Sequence, residues 1–283
     1  MLLLHGGGSD YSEFSWRDVL KELGKDHRIY APDFPGYGYS QWPAIEDVNA
    51  GNPERLQRIS SLIQSNSRFT NENSTLLTQV SFLCAFIEQH QLEGVHVAGF
   101  SMGGAIAILA ALTDPKAFHK VAVINSYGIA DEIKRQKLAY LTSKVPFINK
   151  LLRAILVRSS LVMKLALGEL VEKRSCISRQ MVEDARESVR LVGHHLIWKR
   201  FVQDEIRFNY CNLNLTGELQ KLSKKLAVIQ TDKDRLFFPE NARKAAISSR
   251  FILLPSAGHI PARECPEALV ASLQQFFDLS KDF

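Results

Sequence analysis

One serine in this chain stands in a setting that activates hydroxyl groups. Residues Gly99-Phe100-Ser101-Met102-Gly103 follow a short apolar stretch and precede a run of small residues. A strand that turns sharply into a helix at G-x-S-x-G holds the serine in a strained conformation and exposes its hydroxyl. Glycines on both sides avoid steric clashes, and the free N–H groups of the helix N-terminus favour developing negative charge. We therefore predict that Ser101 is a nucleophile.

A serine nucleophile needs a general base, and the base needs a carboxylate to orient it. Both residue types follow later apolar stretches, in the order acid and then histidine that this strand–turn–helix design requires. Asp232 and Asp234 follow residues 226–230, and His259 follows residues 251–254. The carboxyl ends of parallel strands meet at one edge of a sheet, so these side chains are expected near the serine. His259 is the predicted base, and either aspartate fits the role of the acid.

The Gly-rich loop His5-Gly6-Gly7-Gly8 predicts the remaining part of an acyl-transfer site. An oxyanion needs two backbone N–H donors, one from the residue after the nucleophile and one from an earlier loop. We expect the amides of Met102 and Gly7 to fill these roles, with Gly8 as the alternative to Gly7. A phosphate-binding loop is disfavoured because no Gly-Lys-Ser/Thr sequence follows the glycines.

Short apolar segments alternate with longer segments of helical periodicity along most of the chain. The apolar segments lack polar alternation, as expected of parallel strands that are buried on both faces. The predicted strands are residues 2–4, 28–31, 95–98, 121–124, 226–230 and 251–254. The predicted helices are residues 14–23, 53–64, 72–90 with Thr70 as N-cap, 102–112, 241–247 and 266–277. This order predicts an α/β fold whose mostly parallel sheet carries helices on both faces.

One long stretch, residues 126–225, interrupts the alternation with helical patterns and no convincing strand. An insertion of this length in a parallel sheet is typical of a lid, so we predict a helical cap at 126–225. The α/β core then comprises residues 1–125 and 226–283. Six large side chains of the insertion are candidates for the substrate pocket, although core packing is the favoured interpretation of each. They are Tyr140, Phe147, Met163, Leu167, Trp198 and Phe201.

Composition disfavours several classes of protein. The chain has 283 residues, of which 46% are hydrophobic, and its formal net charge is +5. Its Lys and Arg are spread along the sequence, most densely between Lys134 and Arg174. This spread favours a mildly basic enzyme over a nucleic-acid-binding protein. The four cysteines have neither metal-ligand spacing nor the pattern of a disulfide framework. Because no signal peptide or membrane-spanning segment is evident, we expect a cytoplasmic protein.

These residues together resemble the α/β-hydrolase superfamily over nearly the whole chain, from Leu2 to about Leu279. The matching segments are residues 3–8, 31–40, 99–104, 232–236, 257–261 and 265–267. In the family's acid loop the later aspartate belongs to the catalytic triad, which implies Asp234. Segment 33–40, Asp-Phe-Pro-Gly-Tyr-Gly-Tyr-Ser, resembles the branch of epoxide hydrolases, haloperoxidases and C–C hydrolases. Epoxide hydrolases and dehalogenases use an aspartate nucleophile, so Ser101 leaves acyl hydrolysis or hydrolysis of an activated C–C bond.

Two features depart from the pattern of the superfamily. Its acid loop usually has glycine where this chain has Thr231. It also has a β-hairpin ahead of the His-Gly loop, whereas here the chain starts just before that loop. The resemblance therefore implies a missing N-terminal hairpin. Without it, we expect residues 28–31 to form an exposed sheet edge, with lower stability or a tendency to aggregate.

The predicted function is that of a serine hydrolase which cleaves an ester-like bond of a small or medium organic substrate, without a metal or organic cofactor. Three alternatives remain: a C–C bond hydrolase, a ligand-binding or receptor-like member with little turnover, and a lipase at a membrane surface. Residues 151–171 mix apolar residues with Arg153, Arg158 and Lys164, which fits a helix lying on lipid. A cap helix packed over the active site is the favoured interpretation of that stretch.

Overall fold

The computed structural model describes residues 1–8, 10–25, 27–42, 52–69, 74–130, 132–191 and 196–277. Its strands are β1 (Leu2–Leu4), β2 (Val95–Phe100), β3 (Phe118–Ile124), β4 (Leu226–Thr231) and β5 (Arg250–Leu254). Its helices are α1 (Ser12–Leu23), α2 (Pro53–Ser65), α3 (Thr75–Gln89), α4 (Met102–Thr113), α5 (Gln136–Lys144), α6 (Pro146–Arg158), α7 (Ser160–Leu167), α8 (Arg179–Leu191), α9 (Leu196–Glu205), α10 (Pro239–Ala245), α11 (Pro261–Glu264) and α12 (Pro266–Phe277). Short 3₁₀ helices occupy Arg174–Cys176 and Thr216–Leu222.

The five strands of the described chain form one parallel sheet in the order β1-β2-β3-β4-β5. Alternate residues of a strand point to opposite faces, and here each face has its own apolar core. Leu2 and Leu4 of β1 belong to one cluster, and Leu3 belongs to the other. Helices α2, α3 and α4 pack together on one side, while α1 packs with α11 and α12 on the other. The predicted α/β fold with helices on both faces is confirmed.

Five of the six predicted strands are present, with ends that differ by up to three residues. The prediction of a strand at residues 28–31 is wrong, because only Tyr30 pairs there, in an isolated parallel bridge with Leu2. Two backbone hydrogen bonds make this bridge: Leu3 N–H donates to Tyr30 O at 2.9 Å, and Tyr30 N–H donates to Met1 O at 2.9 Å. Pro32, two residues after Tyr30, has no N–H to extend the ladder.

Most predicted helices shift by only a few residues. Helix α3 begins at Thr75 rather than at residue 72, because the Ser74 hydroxyl accepts the N–H of Leu77 and caps the first turn. The predicted N-cap, Thr70, lies outside the described residues. Helix α10 starts at Pro239, a residue suited to the first turn, two residues before the predicted start.

The stretch between β3 and β4 contains α5 to α9, and its described residues form no strand of the sheet. β3 and β4 are nevertheless direct neighbours, since Val123 pairs with Val228, so the insertion leaves the sheet continuous. The division into a core and a cap at 126–225 stays a prediction. Within the described chain, no helix combines the length and the hydropathy needed to cross a bilayer.

Candidate active site

Ser101 occupies the sharp turn between β2 and α4. Its backbone has φ 52° and ψ −115°, a region that residues other than glycine rarely adopt. Three hydrogen bonds hold this conformation: Ser101 N–H donates to Ile124 O at 2.9 Å, and Ser101 O accepts the N–H groups of Gly104 and Tyr127, each at 3.0 Å. The predicted strand-to-helix turn is therefore present, and it places the side chain in a cavity at the edge of the sheet.

Helix α4 approaches β1 more closely than a side chain would permit. A Cβ atom added to Gly103 would lie 2.5 Å from His5 O and 2.6 Å from Leu4 O. Only glycine fits at this position, and the close packing brings the Gly-rich loop after β1 beside Ser101. Gly7 and Gly8, the two candidate oxyanion donors of this loop, both line the same cavity as Ser101 and Met102.

The buried His5 ring ties the Gly-rich loop to the neighbouring chain. Its Nδ1 lies 2.7 Å from Gly6 O, and its Nε2 accepts the N–H of Phe34 at 2.9 Å. These partners assign the proton to Nδ1. Burial lowers the pKa of His5, so the ring stays neutral and serves as a structural link.

Asp10 is a residue of the site that the sequence analysis missed. Its carboxylate lines the cavity and accepts the N–H of Gly6 at 2.8 Å, the N–H of Tyr11 at 2.8 Å and the hydroxyl of Ser15 at 2.7 Å. Burial raises the pKa of Asp10 above its usual value. The available signal was an aspartate two residues ahead of the first helix, in a region where short acids bind free backbone amides.

His259 and Asp234 meet at the carboxyl ends of β4 and β5. His259 Nδ1 lies 3.1 Å from Asp234 Oδ2 and 3.2 Å from Oδ1. Asp234 Oδ1 also accepts the N–H groups of Leu236 and Phe237, at 2.7 and 3.1 Å, and Oδ2 accepts Gln230 Nε2 at 3.2 Å. Burial by itself would raise the pKa of Asp234, but the adjacent His259 and the two backbone donors outweigh it and lower that pKa.

Asp232, the other candidate acid, lies in a different environment. Its carboxylate is 29% exposed, and its Oδ2 is 3.9 Å from Lys233 Nζ. Its backbone N–H donates to Leu254 O at 3.1 Å and continues the pairing of β4 with β5. Of the two aspartates, Asp234 makes the contact with His259.

Thr231 stands where glycine is usual in related acid loops, and its hydroxyl has a specific partner. It donates to Gly258 O at 2.6 Å. Asn125 bonds the same region: its amide donates to His259 O at 2.9 Å, and its Oδ1 accepts Thr231 N–H at 2.9 Å. Asn125 and Thr231 together fix the backbone of Gly258 and His259, which we call the histidine loop.

The histidine loop is also bonded to the segment that follows α7. His259 N–H donates to Leu170 O at 2.7 Å. Glu264 accepts the N–H of Gly258 at 2.7 Å and those of Glu172 and Lys173 at 2.7 and 3.1 Å. Burial raises the pKa of Glu264. The position of His259 therefore depends on the insertion as well as on the sheet.

A cavity of about 380 Å³ contains these groups. Ser101, His259, Gly7 and Met102 line it together, and most of the remaining wall is apolar. Its size falls within the range of small-molecule sites. Among the described residues, no cluster of His, Cys, Asp or Glu is arranged to hold a metal ion.

The insertion contributes much of the wall of this cavity. Four of the six predicted pocket side chains line it, namely Met163, Leu167, Trp198 and Phe201. Tyr140 does not, and its ring packs 6.0 Å from that of Phe208. The side chain of Phe147 lies outside the described residues.

A strained serine, a histidine bonded to a buried carboxylate, and a glycine loop at a helix N-terminus are the parts of an acyl-transfer site. A family model for the alpha/beta hydrolase family matches residues 1–272. The chain belongs to the alpha/beta hydrolase family. This membership confirms the resemblance read from the sequence and supports the prediction that the protein is a hydrolase.

Relatives in the family carry different activities in their names. The chain is 24% identical to the dihydrolipoyllysine-residue acetyltransferase component of an acetoin cleaving system from Pseudomonas putida, over 98% of this chain and 62% of that protein. It is 31% identical to a putative esterase/lipase of Mycoplasma pneumoniae, over 38% of this chain and 30% of that protein. The chain thus spans less than two thirds of each of these relatives.

Among solved structures, the chain is similar to a meta-cleavage product hydrolase from Pseudomonas fluorescens. The TM-score is 0.72 at 15% identity, over 99% of this chain and 90% of that one. At this identity the similarity concerns the fold. Which reaction this chain catalyses must therefore be inferred from the residues of its own site.

Proposed function

We propose that this alpha/beta hydrolase is a serine hydrolase that cleaves an acyl ester of a small or medium, largely apolar substrate. The observation that carries the proposal is a mainly apolar cavity holding Ser101 together with His259, whose Nδ1 is bonded to the buried Asp234. In the proposed reaction the Ser101 hydroxyl attacks the ester carbonyl and His259 accepts its proton. His259 then protonates the leaving alcohol, and water hydrolyses the acyl-enzyme by the same steps in reverse order.

Asp234 and the backbone amides have separate tasks in this mechanism. The lowered pKa of Asp234 keeps it ionised at neutral pH, so its charge stabilises the imidazolium that forms on His259. Donors for the oxyanion are the backbone N–H groups of Met102 and Gly7, with Gly8 as the alternative to Gly7. Their preorganisation stabilises charge that develops only in the transition state.

The lining of the cavity favours a neutral substrate. Its titratable side chains are Asp10, Tyr127 and His259, and the described lining contains no Lys or Arg. Burying a substrate carboxylate without a cationic partner is costly. This disfavours the C–C hydrolase alternative, since relatives of that type include a 2-hydroxy-6-oxo-2,4-heptadienoate hydrolase, whose substrate carries a carboxylate.

We assign the wall contributed by residues 126–225 to a cap that selects the substrate. Leu156, Met163, Leu167, Trp198 and Phe201 supply apolar surface from α6, α7 and α9. Such a wall favours an acyl or alcohol group without charges.

Covalent labelling tests the nucleophile. A fluorophosphonate probe should modify the wild-type protein, and the label should disappear in Ser101→Ala and weaken strongly in His259→Ala. Ser272→Ala, on the exposed side of α12, should label as the wild type does. A folded wild type that never reacts, or a Ser101→Ala variant that still does, contradicts the proposal.

Turnover separates the three candidate activities. We expect steady hydrolysis of p-nitrophenyl esters, with kcat/KM rising along an acyl-chain series until the cavity is filled. A 2-hydroxy-6-oxo-dienoate should be a much poorer substrate. A higher kcat/KM for the dienoate would favour the C–C hydrolase, and the absence of turnover with both would favour a ligand-binding member.

A further inference from the structure

The excess of basic over acidic residues in this protein comes from one segment that contains no acidic residue. Residues 133–168 contain eight Lys and Arg and no Asp or Glu. All other residues together contain 27 Lys and Arg against 30 Asp and Glu, a net charge of −3. The segment therefore accounts for more than the whole net charge of +5.

The same segment carries an unusual share of the exposed apolar surface. Of the fourteen large apolar side chains that are exposed among the described residues, eight fall within residues 138–165. Leu161 is 68% exposed and Leu138 is 59% exposed. Scattered exposed leucines are normal, but a concentration of this kind marks an interaction surface.

Helical spacing places these side chains on one stripe of each helix. Leu138 and Leu141 of α5 are three residues apart, and Leu161 and Leu165 of α7 are four apart. Leu151 and Ile155 on α6 show the same spacing. Helix α6 packs against both α5 and α7, so the three stripes are neighbours. We call these stripes and the basic residues between them the apolar–basic face.

Helices α6 and α7 are apolar on a second side as well. Leu156 of α6 and Leu167 of α7 line the cavity that contains Ser101. Leu151 of α6 and Leu161 of α7 are exposed. An ordinary surface helix needs only one apolar stripe, the one that faces the core. The apolar–basic face is therefore the outer side of a wall whose inner side encloses the candidate active site.

Four cations of this face have no acidic partner among the described residues, and two of them, Lys137 and Lys144, lie over the rings of Phe208 and Tyr140. Lys137, Lys144, Arg158 and Lys164 are exposed, and none forms an ion pair with a described residue. Arg135 is paired with Glu169, just beyond the segment. Four cations without an acidic partner, set among exposed leucines, match an anionic bilayer, where leucine enters the acyl boundary and Lys or Arg meets the headgroups. Protein interfaces, by contrast, are depleted in lysine.

We propose that the apolar–basic face docks on an anionic phospholipid surface. In this orientation the wall formed by α6 and α7 lies at the bilayer, and acyl substrates reach Ser101 from the lipid. The proposal of docking depends only on the apolar–basic face, whereas this route of substrate supply rests on the proposed function.

Co-sedimentation with vesicles tests docking. Vesicles of phosphatidylcholine with phosphatidylserine should pellet the wild type at about 0.1 M salt, and phosphatidylcholine alone should pellet much less. Raising the salt to about 1 M shortens the Debye length from ~10 Å to ~3 Å and should release most of the protein. Ser101→Ala should pellet like the wild type, so a failure of the proposed function would leave the docking result intact.

A matched pair of triple variants identifies the face. Lys144→Glu/Arg158→Glu/Lys164→Glu should weaken binding to anionic vesicles at least about tenfold. Lys116→Glu/Lys224→Glu/Lys244→Glu makes the same change of net charge at exposed positions elsewhere and should retain most of the binding. Both triples should hydrolyse a water-soluble short ester at the wild-type rate, which shows that they are folded.

The apolar part of the face has its own variant. Leu161→Gln/Leu165→Gln keeps every charge and should lose the fraction of binding that survives high salt. Docking is refuted if the wild type does not bind anionic vesicles at low salt, or if both triple variants lose binding to the same extent. A wild type that dimerises without lipid, with face variants that stay monomeric, would instead assign the face to contacts between copies and overturn the proposal.

Discussion

The groups around Asp234 are all hydrogen-bond donors, and a carboxylate, which has only acceptor oxygens, can accept from all of them. It accepts the N–H groups of Leu236 and Phe237 and the side chain of Gln230, and it contacts His259 Nδ1. This leaves His259 Nε2 as the nitrogen available to a serine proton. The site thus predicts different consequences for substitutions at the two neighbouring aspartates.

Asp234→Asn should lower kcat by about 10⁴-fold with little change in KM, because an amide in this position favours the wrong tautomer of the histidine. Asp232→Asn is the matched control and should stay within about twofold of the wild type, since Asp232 is partly exposed and contacts Lys233. Steady-state kinetics on one p-nitrophenyl ester measures both. An equal loss in the two variants would contradict the assignment of the acid.

At the scale of elements, a buried ion cluster joins α8 to α1 and α11. Asp184 of α8 accepts Arg263 Nη2 at 2.9 Å and Arg17 Nη2 at 3.2 Å. Arg263, on α11, also donates to Asp18 and to the carbonyl of Phe14. Asp184 and Arg263 are nearly completely buried, so each charge depends on its partners.

Asp184→Asn should therefore lower the free energy of unfolding by about 3 kcal/mol, because it leaves buried arginine charge less compensated. Glu187→Gln removes an exposed charge from the same helix, where Glu187 pairs with Arg190, and should cost less than about 0.5 kcal/mol. Urea denaturation of the two variants decides the point. Similar small losses would show that the cluster contributes nothing to the junction of α8 with the core.

At the scale of the whole molecule, one buried carboxyl couples stability to pH. Glu205 is fully buried beside the cavity, and its Oε2 accepts the Tyr127 hydroxyl at 2.9 Å. Burial raises its pKa from 4.5 to about 8. As pH rises through this window, the unfolded chain releases the proton while the folded chain retains it, so the free energy of unfolding falls.

Glu205→Gln should remove this contribution, since the amide keeps an acceptor for Tyr127 and does not titrate. Relative to the wild type, the variant should gain about 1.4 kcal/mol per pH unit between pH 4.5 and about pH 8. Urea denaturation across that range measures the difference, with the exposed Glu88→Gln as a control that should follow the wild type. Stability curves of the wild type and Glu205→Gln that run parallel would rule out the coupling.

Local patterns predicted much of this protein. Unalternated apolar segments identified five strands of the sheet, because a strand buried on both faces leaves its signal in a few consecutive residues. The nucleophile turn was equally local, since one strand, one turn and one helix create its geometry. The same reasoning predicted a strand at residues 28–31, where the structure has only a single bridge. Whether a short apolar segment pairs along its length depends on a neighbour far away in the sequence.

The sequence by itself determined the order of Ser101, the two candidate acids and His259 at strand ends, and this order predicted the type of chemistry. Periodicity left Asp232 and Asp234 open, because they are two residues apart in one turn. The family resemblance implied Asp234, and the tertiary structure shows that this aspartate contacts His259. It also decided the supporting roles of Asp10 and Thr231. The hydroxyl of Thr231 meets Gly258, 27 residues along the chain. Contacts between distant residues arise from how the elements pack, and they leave no repeat in the sequence from which they could be read.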